Sequence, residues 1–464
     1  MRVILDFQAL QSASRYRGVG RGSRSLMLSM ANNLLAQGHE VVCLLNTAFQ
    51  DHLEPLCTDI LTNAPGVRLA SFTTPLPCAA HDERNAWRQM AARLLREHAI
   101  ASLEPDFVHV PALLPDGWGD DAVASVGELG VHVPISLTQH DLIPLVMSDT
   151  YMPPGAFHDY YMEKINYTKK ADLLLAISDF SRKEAMHWLG LAEERVVHIS
   201  SAADPLFDNV RIFSEVKHAI CETYGIKPDF LMYAPGGFDP RKNVERLFAA
   251  YACLPNNLRA RHQLIVVSKL YPGQRDALDA AMKATGLRED EVILTDYVPD
   301  TDLIHLYASC FLYIFPSLHE GFGLPALEAM LCGAPVLASD ASCIPEVIGM
   351  QDALFDPFSI EHIAEKMHQA LTDDVFRQRL LAHARRQPKR FSWEASAGVA
   401  VTALLQKHAD LVAAGWKKTA TESLPSCDVL LAMTQERVPM MRPDSLDVAV
   451  FRACYDRNSR MVHS

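Results

Sequence analysis

The chain has 464 residues, too many for one ordinary hydrophobic core, which rarely grows past about 250–300 residues, so two domains are expected. Apolar residues make up 49% and charged residues 21%, a balance that excludes a disordered or low-complexity chain. A formal net charge of −13 argues against a nucleic-acid partner, because so acidic a chain repels a phosphate backbone unless a basic stripe is concentrated on one face.

Ten cysteines run from Cys43 to Cys454 without a C-x-x-C pair, so they read as thiols in a reducing cytosol rather than as disulfides or zinc ligands. Met1-Arg2-Val3-Ile4-Leu5-Asp6 lacks the apolar stretch of a secretory signal, and no segment offers ~18 uninterrupted apolar residues. A cytoplasmic protein is expected, at most held at the inner face of the plasma membrane.

In chain order, short apolar runs alternate with longer amphipathic stretches. Val3-Ile4-Leu5, Val41-Val42-Cys43-Leu44-Leu45, Phe107-Val108-His109-Val110, Ile135-Ser136-Leu137, Leu173 to Ile177 and Val196 to Ile199 predict one set of strands. After a break at Ser201-Ala202-Ala203-Asp204-Pro205 the rhythm restarts with Leu231-Met232-Tyr233, Leu264 to Val267, Val292-Ile293-Leu294, Phe311 to Ile314 and Val336-Leu337-Ala338. The expected class is α/β: two Rossmann-like, doubly wound parallel sheets facing one another, residues 1–205 and 206–409, the second including the final helices. Ligands of open α/β sheets bind beyond the carboxyl ends of the strands, which puts the expected active site in a cleft between the domains. Residues 410–464, with Pro425, Pro439 and Pro443 and little periodicity, form an extension to which the sequence assigns no role.

Near the start, Arg15-Tyr16-Arg17-Gly18-Val19-Gly20-Arg21-Gly22 precedes the helix-like Ser25-Leu26-Met27-Leu28 and reads as a glycine-rich loop. A dinucleotide fingerprint is the rival, but it needs glycine where Ser23 stands and should follow the strand at once, whereas some dozen residues separate Leu5 from Gly18. Arg84-Asn85-Ala86-Trp87-Arg88-Gln89-Met90-Ala91-Ala92-Arg93-Leu94-Leu95-Arg96 is a basic amphipathic stretch, a candidate for peripheral membrane contact. Thr138-Gln139-His140-Asp141 ends a strand, and Ile177-Ser178-Asp179-Phe180-Ser181 reads as a helix start capped by Ser178 or Asp179.

Gly236-Gly237-Phe238-Asp239-Pro240-Arg241-Lys242-Asn243 sets two cations beside a flexible loop after a strand, where they would neutralise an anionic ligand. Asp300-Thr301-Asp302 has the spacing of a metal-binding D-x-D, yet it stands where a turn should lead into a helix, and no metal is expected there.

The most informative stretch follows the apolar run Phe311 to Phe315: Pro316-Ser317-Leu318-His319-Glu320-Gly321-Phe322-Gly323-Leu324-Pro325-Ala326-Leu327-Glu328. Gly321 and Gly323 allow a tight turn and close approach to a ligand, Pro325 suits a helix's first turn, and a strand, glycine loop and helix N-terminus make an anion site. Glu320 and Glu328 add carboxylates that accept bonds from vicinal hydroxyls, each charge-assisted bond being worth roughly 1.5–3 kcal/mol, so a sugar and a ribose are plausible ligands.

Glu320-(seven residues)-Glu328 with Gly321-Phe322-Gly323-Leu324-Pro325 between, followed by Gly333-Ala334-Pro335-Val336, Ile344-Pro345-Glu346-Val347 and Phe391-Ser392-Trp393-Glu394, resembles the E-x7-E pattern of the retaining GT-B glycosyltransferases of family four. The resemblance runs to about residue 405 and implies transfer of a hexose from a nucleoside-diphosphate sugar to a hydroxyl, without a cofactor or metal. It gives Glu320 the donor hexose and Glu328 the ribose hydroxyls, with Gly321, Phe322, Gly323 and Leu324 lining the donor. Lys242 matches the family's lysine, whereas Gly237 stands where an arginine is usual, and Arg241 is the substitute. The Gly18 and Gly20 loop approaches the donor phosphate, and His140 lies close to the transferred sugar. Within the family, the start of the chain and the Gly-Gly-Phe-Asp-Pro-Arg-Lys-Asn loop look most like mannosyltransferase-type enzymes that build bacterial surface polysaccharide on a lipid carrier. GDP-mannose is therefore the favoured donor, with a UDP-hexose open, and a glycan or lipid-linked glycan the acceptor. The alternative, prompted by Gly237 and the tail, is a non-catalytic sensor or scaffold that binds a sugar nucleotide.

Overall fold

The structure is a computed structural model that describes residues 1–12, 15, 18–113, 118–208, 210 and 212–461. The chain divides into two compact units. The first is Met1–Ile177, Ser181–Ser201 and Trp393–Ser464; the second is Ser178–Phe180 and Ala202–Ser392.

The first unit is built on seven parallel strands in the order β3-β2-β1-β4-β5-β6-β7. They are β1 (Arg2–Asp6), β2 (Glu40–Asn46), β3 (Arg68–Phe72), β4 (Phe107–Val110), β5 (Ile135–Gln139), β6 (Leu173–Ala176) and β7 (Val196–His198). The central strands are buried throughout, as continuous apolar runs between helical layers require. β3 was not expected: Arg-Leu-Ala-Ser-Phe, on the sheet edge, mixes polar with apolar residues and has no long apolar run to announce it.

The second unit carries six parallel strands in the order β10-β9-β8-β11-β12-β13. These are β8 (Leu231–Tyr233), β9 (Leu264–Val267), β10 (Val292–Thr295), β11 (Leu312–Phe315), β12 (Val336–Ser339) and the two-residue β13 (Leu354–Phe355), the last too short to leave a sequence signal. β8 and β11 are neighbours in register Leu231↔Leu312 and Met232↔Tyr313, so the loops beyond their carboxyl ends emerge side by side.

Four expectations change. The long helix Trp393–Ala413 belongs with the first unit and packs along the helix Gly18–Ala36, not with residues 206–392. The glycine-rich segment is that helix's opening: it begins at Gly18, seven residues before Ser25, and Gly18 and Gly20 stand in its first turn rather than in a loop. Glycine's low helix propensity is overridden by packing, since a β-carbon on Gly22 would lie 3.3 Å from the Trp393 ring. Tyr16 and Arg17 of that motif lie outside the described residues.

The basic stretch 84–96 is not a membrane-facing helix. In the helix Ala86–Ser102 the residues Trp87, Leu94 and Leu95 are buried, and so are two of the cations: Arg96 pairs with Asp6 at the end of β1, and Arg93 with Glu163. What covers this helix is the extension to which the sequence assigned no role. Two helices, Cys427–Arg437 and Ser445–Met461, bring Leu430, Phe451 and Cys454 into one apolar cluster with Trp87, Ala91, Leu94 and Leu95. Arg88 bonds Asp447 at 2.6 Å, and the Asn458 side chain accepts from the Thr73 amide at 2.7 Å and donates to its carbonyl at 3.2 Å. No helix among the described residues is long and apolar enough to cross a membrane.

Candidate active site

The second unit gathers the densest group of the expected residues. The loop after β8 closes as a 3-10 turn, Pro240–Lys242, and Asn243 follows it at φ +60°, a left-handed conformation that asparagine tolerates better than most residues. Four bonds fasten this turn to its surroundings. Tyr233 of β8 donates its hydroxyl to the Lys242 carbonyl at 2.8 Å, the Leu318 amide donates to the Arg241 carbonyl at 2.7 Å, and the Asn243 amide group reaches Pro316 and Pro357 carbonyls at 3.0 and 2.9 Å. Burial holds the Tyr233 phenol well above its ordinary value, so it stays a donor. Asn243 was not singled out in the sequence; its position directly after Arg241-Lys242, in a turn, was the available signal.

So held, Lys242 Nζ lies 2.7 Å from Glu320 Oε1 and Arg241 Nη1 lies 2.7 Å from Glu320 Oε2. Arg241 also donates to the His319 carbonyl at 3.0 Å and meets Asp239 at 3.1 Å. The Glu320 side chain is 11% exposed. Burial opposes its charge, but Lys242 and Arg241 outweigh that penalty and hold the carboxyl below the usual carboxylate range. Gly237 has φ +150°, a backbone conformation an arginine side chain rarely adopts, and Arg241 brings its guanidinium to Glu320 instead.

The helix Leu324–Leu331 opens after Gly323, whose φ of +97° demands glycine, with Pro325 in its first turn. Glu328 stands on its buried side and accepts from the Tyr307 hydroxyl at 3.4 Å. Burial, then the neighbouring Tyr313 and Glu328, keeps Tyr307 protonated. The Phe322 side chain is turned into the core against Phe391, with ring centroids 5.6 Å apart. The Gly321 carbonyl accepts from Ser178 at 2.8 Å, and Leu324 is half-buried at the helix start.

The start of the helix Asp179–Leu189 is held by a carboxylate far away in sequence. Its first amides, Asp179 and Phe180, donate to the Glu346 carboxylate at 2.9 and 2.8 Å. Asp300 and Asp302 open the helix Asp300–Ser309, and Asp302 accepts from the Tyr224 hydroxyl at 2.7 Å.

The remaining expected residues lie in the first unit. Gly18 and Gly20 are helical, as described. His140, just beyond β5, donates Nε2–H to the Pro111 carbonyl at 2.9 Å, which leaves Nδ1 as its acceptor nitrogen. Burial pushes its pKa down, against the pull of that bond and of Asp141, so it is neutral at pH 7.

Two parallel α/β sheets, the second carrying a basic turn and an E-x7-E loop and helix at the carboxyl ends of adjacent strands, define a glycosyltransferase of the GT-B fold. Solved structures agree on the fold: HepE of Anabaena in complex with UDP and glucose aligns with a TM-score of 0.57 at 19% identity over 89% of this chain and 100% of that one. WaaG, a glycosyltransferase involved in lipopolysaccharide biosynthesis, aligns at 0.59 and 17% identity over 87% and 99%.

Residues 20–205 match the family model for glycosyltransferase family 4, residues 220–387 match that for glycosyl transferases group 1, and the chain belongs to this family. It is 34% identical over 471 residues to the serotype-specific mannosyltransferase WbdA of Escherichia coli, covering 100% of this chain and 54% of that protein. The O-antigen chain mannosyltransferase B of Escherichia coli is 35% identical over 236 residues, 50% of this chain and 61% of that one. The chain spans about half the length of the WbdA relatives it matches.

Proposed function

We propose that the protein transfers mannose from GDP-mannose to a hydroxyl of a growing, lipid-linked bacterial glycan, with retention of anomeric configuration and without a metal, at the cytoplasmic face of the membrane. The observation that carries this reading is the Lys242–Glu320–Arg241 cluster on an E-x7-E loop. Glu320 is the acceptor for donor-sugar hydroxyls. Lys242 and Arg241, already within bonding distance of it, are placed to share their protons with a diphosphate leaving group, and Glu328 takes the ribose hydroxyls. His140, neutral, offers a nitrogen lone pair rather than a charge to the transferring sugar. The relatives, a serotype-specific mannosyltransferase and an O-antigen chain mannosyltransferase, support the choice of sugar and acceptor class.

The test is thermal stabilisation by GDP, UDP, ADP and NAD, repeated on Glu328→Ala and Lys242→Ala. A ligand at 100 times its dissociation constant adds ~2.7 kcal/mol to the folded state. GDP is expected to stabilise the parent and much less the variants, and mannose transfer to a lipid-linked acceptor then separates an enzyme from a silent binder. Stabilisation by UDP alone moves the donor to a UDP-hexose; no stabilisation by any nucleoside diphosphate overturns the reading.

A further inference from the structure

One short segment, Ser342–Glu346, grips the donor loop from two sides. The Glu320 amide donates to Ser342 Oγ at 3.1 Å, and Cys343 donates its thiol to the Glu320 carbonyl at 3.1 Å, so both backbone groups of Glu320 are tied to consecutive residues. Ser342 holds this position at φ +52°, an unfavourable conformation for serine that persists only where its surroundings impose it. Three residues on from Cys343, the exposed Glu346 carboxylate accepts the Asp179 and Phe180 amides at 2.9 and 2.8 Å. Those residues in turn reach the same loop: Ser178 Oγ donates to the Gly321 carbonyl at 2.8 Å, and the Phe180 ring meets the His319 ring edge-on at 5.4 Å.

We infer that Ser342 and Glu346 are positioning residues for Glu320, fixing the 319–321 backbone directly through Ser342 and Cys343 and indirectly through the Glu346-anchored segment 178–180. The argument is one of charge and direction. A carboxylate that accepts two amides at a helix start is a stronger anchor than a neutral group of the same shape. A catalytic carboxylate must be held within a fraction of an ångström of its working position, because a misplacement of about 1 Å costs on the order of 100-fold in rate. The inference rests on the donor-sugar reading of Glu320 for its kinetic consequence but not for its structural one.

The experiment compares the parent with Glu346→Gln, Glu346→Asp and Ser342→Ala by amide hydrogen exchange and by steady-state transfer from GDP-mannose. In Glu346→Gln, faster exchange is expected at residues 179–180 and also at 319–321, with kcat lowered ~10–100-fold, donor KM changed far less, and most of the loss restored by Glu346→Asp. Ser342→Ala should loosen the Glu320 amide without affecting 179–180. Exchange that quickens at 179–180 while 319–321 stays protected, or a kcat equal to that of the parent, overturns the inference. If the parent itself neither binds GDP nor turns over GDP-mannose, the donor reading fails, and the exchange pattern alone decides whether this segment positions Glu320.

Discussion

Lys242 Nζ and Glu320 Oε1 sit 2.7 Å apart, with Lys242 at the end of a 3-10 turn beyond β8 and Glu320 in the loop beyond β11. The pair exists because β8 and β11 are adjacent, so two positions 78 apart in sequence meet beyond the carboxyl ends of neighbouring strands. A ligand that accepts a hydrogen bond from Lys242 must compete with Glu320, whose charge must stay compensated as it does so.

That competition gives a pH-dependent prediction. A carboxyl whose folded pKa is depressed contributes stability that is fully present above its unfolded value, ~4.3 for glutamate, and is lost as pH falls through the folded value. Lys242→Met leaves Glu320 with Arg241 alone. At pH 7 the variant should lose ~1.5–3 kcal/mol, the worth of one hydrogen bond to a charged group. Urea unfolding followed downward from pH 7 should show the gap between parent and variant narrowing below ~4.3. A gap that is the same at all pH values would mean that Lys242 acts by packing.

His109 makes a second and opposite-looking case. Its ring is buried in β4, with Nδ1 3.0 Å from the Ser136 hydroxyl and Nε2 3.2 Å from that of Thr138. Burial, and then the neighbouring His140, lowers its pKa to about 3. An imidazole kept neutral by the fold contributes stability above its unfolded value, ~6.5, and loses it as pH falls from there toward the folded value, because the unfolded chain binds the proton first. The melting temperature should therefore decline between pH 6.5 and 4.5, and His109→Gln, less stable at pH 7.5, should decline less steeply. An equal slope in both proteins would assign the acid sensitivity to other groups.

Two glycine substitutions should behave differently for reasons visible in the backbone. Gly323→Ala puts a side chain at φ +97° and its β-carbon 3.4 Å from the Phe315 ring, so a loss of ~1–2 kcal/mol is expected. Gly22→Ala lies within a helix, where alanine is favoured by ~1 kcal/mol, and the 3.3 Å approach to Trp393 offsets that gain, leaving a change near zero. Thermal denaturation of the two variants reads the contrast directly; equal losses would remove the conformational argument for Gly323.

Most strands were legible because they are short, largely apolar runs, and the E-x7-E loop because Glu320, Glu328, Gly323 and Pro325 form a pattern in residue type and spacing. What escaped were contacts between residues far apart in sequence. Nothing in Arg93 or Arg96 announces that Glu163 and Asp6 will neutralise them, so an amphipathic basic stretch read as a surface helix. Nothing in Glu346 announces two amides from residues 179 and 180. Gly18 to Gly22 read as a loop because their partner, Trp393, lies some 370 residues away.

The same limit hid the purpose of the last 50 residues, and it yields the final prediction. Phe451 is fully buried, with its ring 6.0 Å from that of Trp87, and Leu430 is fully buried in the same cluster. Phe451→Ala should cost ~3–5 kcal/mol, the usual price of emptying a large core site. Removing everything after Ala413 should be worse. It uncovers Trp87, Leu94 and Leu95, strips Arg88 and Glu128 of Asp447 and Arg437, and leaves both backbone groups of Thr73 without Asn458. Each buried polar group so orphaned adds a penalty of ~1–3 kcal/mol. Chemical unfolding of Phe451→Ala, with solubility of the truncated chain, tests this. A midpoint unchanged from the parent, or a truncated chain that stays soluble and folded, would show that the two terminal helices lie on the first unit without stabilising it.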